Sequence, residues 1–447
     1  MVQTCLSQCS QPSRLRWSRL ALILAPCCVI LLLLLTGSQS HSAFAAPVPS
    51  PVGPSVSGCS PTLAFTITAN YMPMGLAYDT ANKRLFVADQ TGPDNGSLLV
   101  AFVSRRVYFP LIARQATAMA SASDASAGLG FKPATASMPG WPETRIVTEV
   151  DGARGVAYDA ARNRIYVVGG DKLYVVDGST YALLMPPYPL GGHFNAFAVA
   201  YNPIADKIYV SDFGQNRVKI INVHVDPWSV TNLNTAGFPL VEPAHIAVNP
   251  ATNKVYVSNH DGGGPTGWVT VIDGSMDQTL KNVDLAGDLY GIAVDVVHNR
   301  IYATSIGVAR VFAIDGATDE ALGDIQIVRA SDDKPVPLRM VSVNPSVGTD
   351  SHLWLTSSEV DEGEDVDHLI LLSFNSAGWP PAVAAPVAMA IGQSPWDGLV
   401  VDPDWGRVFV SSTGSNVVTA AQDNPMLCAT PLDVSGGDQF SAVTRTY

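Results

Sequence analysis

Two histidines in the middle of the chain are of a type that could hold a metal ion. His245 and His260 each carry an imidazole ring, and imidazole nitrogens are common zinc ligands. A zinc site would need a third protein ligand from another part of the chain, and the sequence contains no paired zinc-ligand motif. Two ordinary surface histidines are the competing interpretation, and the residues alone leave both open.

A dense run of acidic residues, at 359–367, could bind calcium. Carboxylate oxygens are the hard ligands that Ca²⁺ prefers, and Asp361, Asp365 and Asp367 supply three of them. The run does not follow the register of an EF-hand, so a solvated acidic loop is the alternative. We therefore predict no resident cofactor, with calcium at this run as the exception to test.

Signatures of common catalytic sites are missing from the sequence. It contains no Gly-x-Ser-x-Gly nucleophile motif and no glycine-rich phosphate-binding loop. Only 15% of the residues are charged and the formal net charge is −13, whereas nucleic-acid-binding proteins typically carry a basic surface. We predict no nucleic-acid partner and assign no catalytic residue.

The elements that position these side chains come from a repeated segment. The sequence NPATNKVYVSN begins at Asn249, and six variants of it begin at Asp79, Asp159, Asn202, Asp295, Asn344 and Asp402. Five of the six intervals span 43 to 58 residues, near the length of a four-stranded propeller blade. Seven such units predict an all-β protein, a seven-bladed β-propeller of four-stranded antiparallel blades.

Blade four shows how one unit is built. An apolar strand at 245–248 is followed by turn residues and by an alternating strand at 254–258. A third strand at 268–272 ends at Asp273-Gly274, a pair typical of hairpin turns, and an outer strand follows at 279–283. Stacking seven such sheets buries the faces that a single blade would leave in water.

The first interval, from Asp79 to Asp159, spans 80 residues and is too long for one blade. Residues 104–143 within it are rich in Ala, Ser and Thr and contain no unit like the others. We interpret them as a low-complexity insertion between the third and fourth strands of blade one. A degenerate eighth blade is the alternative.

The two ends of the propeller are predicted to meet in blade seven. No fourth strand is evident between residue 420 and Cys428, whereas residues 61–68 have the pattern of an outer strand and precede blade one. This N-terminal strand would complete blade seven and close the ring. Cys59 and Cys428 would then lie beside each other, and we expect a disulfide between them, with free thiols as the alternative.

A candidate binding surface follows from the geometry of a blade. The first strand lines the central channel, and the loops before the first strand and after the second strand open onto one face. The polar and aromatic residues at these positions are the ligand-binding candidates Arg154, Phe197, His245, His260, Tyr290, Arg339 and Asp397. A solvated channel mouth without a ligand is the competing interpretation.

The repeated unit resembles the YVTN-family β-propeller repeat. The resemblance rests on NPATNKVYVSN with the preceding HIAV and the following VTVIDG, and it extends over nearly all of residues 61–425. Proteins with such repeats are typically exported bacterial or archaeal surface proteins, and similar repeats occur in a lactonase-type family and in quinoprotein subunits. The resemblance implies export, but it assigns no catalytic residue because the repeat supplies scaffold positions.

The N-terminal residues also predict export. Three arginines before residue 20 precede an apolar stretch at 20–35, and Ala43 and Ala45 fit the small-residue rule of a signal-peptide cleavage site. An uncleaved membrane anchor is the alternative. Cleavage after Ala45 would make the net charge −16 and leave no membrane contact. We predict a secretion signal at 1–45, a Pro/Ser-rich linker at 46–60, the propeller at 61–432 and a C-terminal tail at 433–447.

Three functional hypotheses follow. The first is a secreted or cell-surface recognition module that binds an extracellular protein, a glycan or a small molecule at its loop face and channel mouth, without catalysis. The second is a lactonase-type hydrolase on the same scaffold. The third is a structural surface-layer or adhesive component. The lack of catalytic motifs in the sequence favours the first.

Overall fold

The structure, a computed structural model, describes residues 62–69, 71–92, 95–104, 142–192, 195–260, 264, 266–330, 332–347, 350–361, 364–375, 379, 386–422 and 440–446. Four features interpreted from the sequence lie outside these residues. They are the secretion signal, the linker, the pair Cys59 and Cys428, and nearly all of the insertion at 104–143.

Seven separate antiparallel sheets make up the fold, one for each repeated segment. Blade one contains β2 (Met72–Asp79), β3 (Arg84–Gly92), β4 (Asn95–Phe102) and β5 (Glu143–Glu149). Blade two contains β6 (Ala153–Asp159), β7 (Arg164–Gly169), β8 (Lys172–Asp177) and β9 (Tyr188–Pro189). Blade three contains β10 (Ala196–Asn202), β11 (Lys207–Asp212), β12 (Arg217–Asn222) and β13 (Ser229–Asn232).

The remaining blades follow in chain order. Blade four contains β14 (Pro243–Asn249), β15 (Lys254–Asn259), β16 (Thr266–Asp273) and β17 (Gln278–Ala286). Blade five contains β18 (Leu289–Asp295), β19 (Arg300–Ser305), β20 (Arg310–Asp315), β21 (Ala321–Arg329) and β29 (Phe440–Thr446). Blade six contains β22 (Leu338–Val347), β23 (Asp350–Asp361), β24 (Glu364–Asn375) and β25 (Val387–Ala390). Blade seven contains β26 (Leu399–Asp402), β27 (Arg407–Ser412), β28 (Val417–Gln422) and β1 (Thr62–Thr68).

The predicted seven-bladed architecture and the closure of the ring by an N-terminal strand are both confirmed. Strand β1 pairs antiparallel with β28 as the outer strand of blade seven, with Thr62 opposite Gln422 and Thr68 opposite Val417. Ile67 of β1 is buried in a core cluster that also contains Phe409 of blade seven. The N-terminal strand is therefore an integral part of the last blade.

Blade five differs from the prediction because it has five strands. The C-terminal strand β29 pairs antiparallel with β21, with Phe440 opposite Arg329 and Thr446 opposite Gly323. Residues 433–447 were predicted to be a C-terminal tail. An outer strand leaves one row of backbone groups unpaired, and β29 pairs with that row on β21.

The described residues of the acidic run, 359–361 and 364–367, belong to two paired strands of a β-hairpin. Strands β23 and β24 each span 12 residues, and their pairing continues out to Asp361 opposite Glu364. A solvated loop was the alternative to a calcium site at this run, and the pairing of its described residues contradicts that alternative. Its described residues extend two paired strands, so backbone groups of alternate residue pairs bond across the hairpin.

The turn between the first and second strands explains the repeated motif. In blade four, Oδ1 of Asn249 accepts a hydrogen bond from the backbone nitrogen of Ala251 at 3.1 Å, which closes the turn. Asn253 has a φ of 52°, a left-handed conformation that asparagine tolerates better than most residues. The side-chain nitrogen of Asn249 also donates to Oδ1 of Asn299 in blade five, at 2.6 Å.

The second strand of the motif holds neighbouring blades together. Lys254 donates through Nζ to Oδ2 of Asp319 in blade five at 2.6 Å, and the hydroxyl of Tyr256 donates to Oδ1 of the same residue at 2.9 Å. Lys207 of blade three reaches Asp277 of blade four in the same way, at 2.7 Å. The repeated residues are therefore used by the scaffold, and a ligand site has to be sought elsewhere.

The first strands crowd together around the channel. A Cβ atom placed on Gly75 would lie 2.6 Å from the carbonyl oxygen of Arg154, and one on Gly291 would lie 2.5 Å from that of Arg339. Glycine is required there because a larger residue would collide with the backbone of the next blade. Among the described residues the helical content is one short 3-10 turn, Phe213–Gln215, and no helix has the length and apolar character needed to cross a membrane.

Candidate functional site

One end of the channel collects side chains from the starts of six first strands. In blade five, Leu289 at the start of β18 pairs with Ser305 at the end of β19, so the loop before the first strand and the loop after the second strand open onto the same face. We call the residues at this end, contributed in order by blades two to seven, the mouth cluster. Its members are Arg154, Phe197, His245, Tyr290, Arg339 and Asp397.

The carboxylate of Asp397 is a meeting point of the mouth cluster. The hydroxyl of Tyr290 donates to its Oδ1 at 2.5 Å, and Nε2 of His245 lies 3.8 Å from the same oxygen. The Nη2 atom of Arg154 lies 3.9 Å from Oδ2. Side chains from blades two, four, five and seven thus converge on one buried carboxylate. Asp397 itself is only 6% exposed.

The surroundings fix the protonation states of Asp397 and Tyr290. Burial raises the pKa of Asp397, but the neighbouring His245, the charge of Arg154 and the hydrogen bond from Tyr290 outweigh it and hold that pKa below its usual value. Burial, together with the charge of Asp397, raises the pKa of Tyr290 well above its ordinary value. At neutral pH the carboxylate is therefore ionised and the phenol remains a neutral donor.

Aromatic rings support both arginines of the mouth cluster. The guanidinium carbon of Arg154 lies 3.8 Å from the ring centre of Phe197, and Phe197 stacks on Phe213 at 5.2 Å. The guanidinium of Arg339 lies 4.9 Å from the ring of Trp396 and 5.7 Å from that of Tyr290. These contacts are cation–π interactions, which hold a charged group in place while its N–H donors stay available.

Four polar atoms of the mouth cluster are buried and lack a hydrogen-bond partner in the described part of the chain. They are Nε of Arg154, Nε of Arg339, Nε2 of His245 and Oδ2 of Asp397. Buried polar atoms in native proteins are nearly always paired with protein or water, so four exceptions in one place call for an explanation. Because these four atoms lie at one end of the channel, a single polar ligand bound there would satisfy them together.

His260 lies beside the mouth cluster and already has two partners. Its Nδ1 is 3.1 Å from Oε2 of Glu242, and its Nε2 is 3.2 Å from Oδ2 of Asp288. His245 faces a different carboxylate, that of Asp397, so the two histidines share no acidic neighbour. In the described residues no group of three or more His, Cys, Asp or Glu side chains is placed to hold a metal ion.

The calcium candidates of the acidic run divide into two kinds. The side chains of Asp361 and Asp365 lie outside what the structure describes. Asp367 is buried, and its Oδ2 accepts a hydrogen bond from the backbone nitrogen of Ser394 at 2.5 Å. Asp367 therefore anchors the loop that leads into blade seven.

Polar residues at the ends of second strands have a structural role that sequence patterns did not reveal. Asp89 and Asn259 each accept a hydrogen bond through Oδ1 from the segment that enters their own blade, from the backbone nitrogens of Tyr71 at 3.2 Å and Val241 at 3.0 Å. Their repetition at one position of the motif is the signal that could have identified them as scaffold. Trp396 was also missed, although it directly precedes Asp397 and is 41% exposed beside Arg339.

Comparisons with known proteins identify the fold and no family. No protein-family model matches the chain, and no curated protein matches it. Similar solved structures include hydrazine synthase from Kuenenia stuttgartiensis, with a TM-score of 0.54, 13% identity, and coverage of 79% of this chain and 96% of the other. A chain of a mitotic checkpoint complex has a TM-score of 0.56 and 10% identity, covering 87% and 99%. The β-propeller domain of Cps50 (Swd1) from Myceliophteria thermophila has a TM-score of 0.52 and 7% identity, covering 80% and 99%. At such low identity these similarities support the β-propeller fold alone.

Proposed function

We propose that this protein is a non-catalytic binding module whose ligand site is the mouth cluster. The observation that carries the proposal is the set of four unpaired buried polar atoms contributed by Arg154, His245, Arg339 and Asp397. A ligand with both acceptors and donors would satisfy them, because the arginines donate and the carboxylate accepts. A rigid ring of sheets that presents loops at one face suits such a role.

We also propose that the module works outside the cell, as a secreted or surface protein of the YVTN type. The proposal rests on the residues of the predicted signal at 1–45 and on the resemblance of the repeat to the YVTN family. Its partner would then be an extracellular protein, a glycan or a small molecule. N-terminal sequencing of the mature protein should find a start near Ala46, whereas retention of residues 1–20 would contradict cleavage.

One observation favours hydrolysis as a second candidate function. His245 Nε2 lies 3.8 Å from the Asp397 carboxylate, and a histidine oriented by a carboxylate is a common general base. This pair would be the catalytic centre of the lactonase-type alternative. Turnover of a lactone by the purified protein, abolished by His245→Gln, would establish the alternative and overturn the non-catalytic proposal.

Binding is tested with a panel of soluble glycans, peptides and lactones and with two matched arginine variants. Arg154→Ala removes a guanidinium that touches Phe197 and lies near Asp397. Arg145→Ala removes an exposed arginine from β5, the outer strand of blade one, which contributes no residue to the mouth cluster. We expect at least a tenfold loss of affinity in the first variant and none in the second, measured by calorimetry. A ligand that binds both variants equally well would place the site elsewhere.

A further inference from the structure

Arg339 forms no ion pair with a described residue, unlike several other arginines of the scaffold. Arg84, Arg217 and Arg310 each pair with an aspartate of their own blade, at 2.5, 2.8 and 3.3 Å. Arg339 instead lies against the rings of Tyr290 and Trp396, with its Nε buried and unpaired. A guanidinium keeps its charge at any physiological pH, so this one is available to an anion.

Asp397 limits which anion the mouth cluster can accept. Its carboxylate is ionised, and its Oδ2 is buried without a hydrogen-bond partner in the described residues. Two guanidinium groups and one carboxylate leave an excess of one positive charge among the cluster's Arg and Asp residues. A ligand with a single negative charge balances that excess, whereas a doubly charged phosphate would be repelled by Asp397. Because Oδ2 accepts no hydrogen bond from the described residues, it favours a ligand that carries a donor.

Trp396 adds a flat apolar surface at the edge of the mouth cluster. It is 41% exposed, it directly precedes Asp397, and its ring contacts the guanidinium of Arg339. An exposed indole beside a charged group can stack on the apolar face of a ring-shaped ligand while the charged group binds a substituent of the same ring.

We propose that the mouth cluster binds an acidic sugar, a uronic acid either free or at the end of a glycan. In this arrangement the sugar carboxylate pairs with Arg339, a ring hydroxyl donates to Oδ2 of Asp397, and the ring face lies on Trp396. The inference rests on the proposed binding function and specifies its ligand. A neutral sugar would leave Arg339 unpaired, and a sugar phosphate would carry too much charge.

The test is isothermal titration of the full-length mature protein with galacturonate, glucuronate, galactose and galactose 1-phosphate, and with N-acetylalanine as a carboxylate without a sugar ring. We expect one of the two uronates to bind at least tenfold more tightly than galactose, galactose 1-phosphate and N-acetylalanine. Equal binding of galactose, or tighter binding of galactose 1-phosphate or N-acetylalanine, would overturn the assignment of an acidic sugar.

Variants assign the binding to the named residues. Arg339→Gln should weaken uronate binding at least tenfold, Arg339→Lys should retain part of it, and Arg145→Gln should have no effect. Asp397→Asn should shift the preference from uronate toward galactose 1-phosphate, because it removes the repelling charge. Unchanged uronate binding in Arg339→Gln would overturn the proposal, provided that its circular dichroism spectrum matches that of the parent.

The combined results distinguish a failure of the acidic-sugar assignment from a failure of the proposed binding function. If no uronate binds but another ligand in the panel binds and is weakened by Arg154→Ala, the acidic-sugar assignment fails and the binding function stands. If Arg154→Ala affects no ligand in the panel and no uronate binds, both proposals fail.

Discussion

The hydroxyl of Tyr290 links two blades that are not neighbours in the ring. It donates to Asp397 across the mouth of the channel, from blade five to blade seven, and both groups are buried. A buried carboxylate that loses a hydrogen-bond donor keeps the full cost of its desolvation. This single contact therefore affects the stability of the mouth as well as the orientation of Asp397 toward a ligand.

Replacing Tyr290 with phenylalanine tests that contact. We expect Tyr290→Phe to lower the free energy of unfolding by about 2 kcal/mol, because the charged acceptor on Asp397 is left with fewer partners. Urea denaturation followed by tryptophan fluorescence measures the change. The control is Tyr302→Phe, which removes a buried hydroxyl that has no hydrogen-bond partner in the described residues. Equal losses in the two variants would show that the hydrogen bond contributes nothing specific.

At the scale of single elements, the turns between third and fourth strands are stabilised by ionised aspartates. Oδ1 of Asp177 accepts hydrogen bonds from the backbone nitrogens of Ser179 and Thr180, and Asp315 accepts the equivalent pair. These backbone donors, that of Thr180 first for Asp177 and that of Thr318 first for Asp315, hold the pKa of each carboxyl below its usual value. The turns therefore prefer the charged form of the side chain.

The protein should consequently lose stability in acid. A carboxyl whose pKa is lower in the folded state contributes stability above its unfolded pKa of about 3.9, and the contribution disappears as pH falls through the folded pKa. Thermal melts from pH 7 to pH 2.5 should show a constant midpoint down to about pH 4 and a fall below it. The double variant Asp177→Asn and Asp315→Asn keeps an acceptor but cannot titrate, so its midpoint should fall less. An identical fall in the thermal midpoint of the double variant would show that these two turns do not cause the loss of stability in acid.

Sequence patterns predicted the blades because each blade repeats the same local chemistry. An Asx turn, a left-handed residue and an alternating strand recur in order, and each is recognisable within about a dozen residues. Five of the mouth candidates lie five residues before the Asx residue of their blade, as with Tyr290 and Asp295, and His245 lies four residues before Asn249. Strand β29 was missed because its partner β21 is more than 100 residues away in the chain. The long acidic hairpin was missed because Asp and Glu are depleted in β-strands, so an acidic run does not resemble a strand.

Six of the seven ligand-binding candidates do meet at the mouth, but their arrangement depended on the folded ring. Nothing local in the sequence shows that Tyr290 reaches Asp397 rather than a residue of the next blade. The same holds for Trp396, a residue outside the repeat whose importance comes from its contact with Arg339. Spacing located the positions, and only packing determined the contacts between them.

At the scale of the whole molecule, the two terminal strands have different structural roles. Strand β1 is the fourth strand of blade seven and buries Ile67, whereas β29 is a fifth strand added to a blade that already has four. Deleting residues 440–447 should leave a folded ring with a small decrease in melting temperature. Deleting the segment up to residue 69 removes the closing strand and should cause at least twice that decrease, measured by calorimetry. A larger decrease in melting temperature after deletion of residues 440–447 would mean that β29 contributes more to stability than β1.

The closing strand also predicts a covalent link. Thr62 and Gln422 are paired at the same end of blade seven, and the chain continues from them toward Cys59 and Cys428 respectively. We expect a disulfide between these cysteines, which would close a loop of more than 300 residues and stabilise the fold by up to about 5 kcal/mol. Non-reducing peptide mapping should recover one peptide that contains both. Recovery of two free thiols would contradict the pairing.

The pairing of β1 with β28 also sets the order in which the ring can be completed during synthesis. Thr62 and Gln422 are 360 residues apart, so at about 5 to 20 residues per second the ribosome needs roughly 20 to 70 s to make the partner of a strand that has already emerged. Until then β1 lacks the strand with which it pairs, and a nascent chain released early would be an open arc that begins with an unpaired strand. Such an arc can pair with another copy of itself, so complete translation protects this protein from self-association.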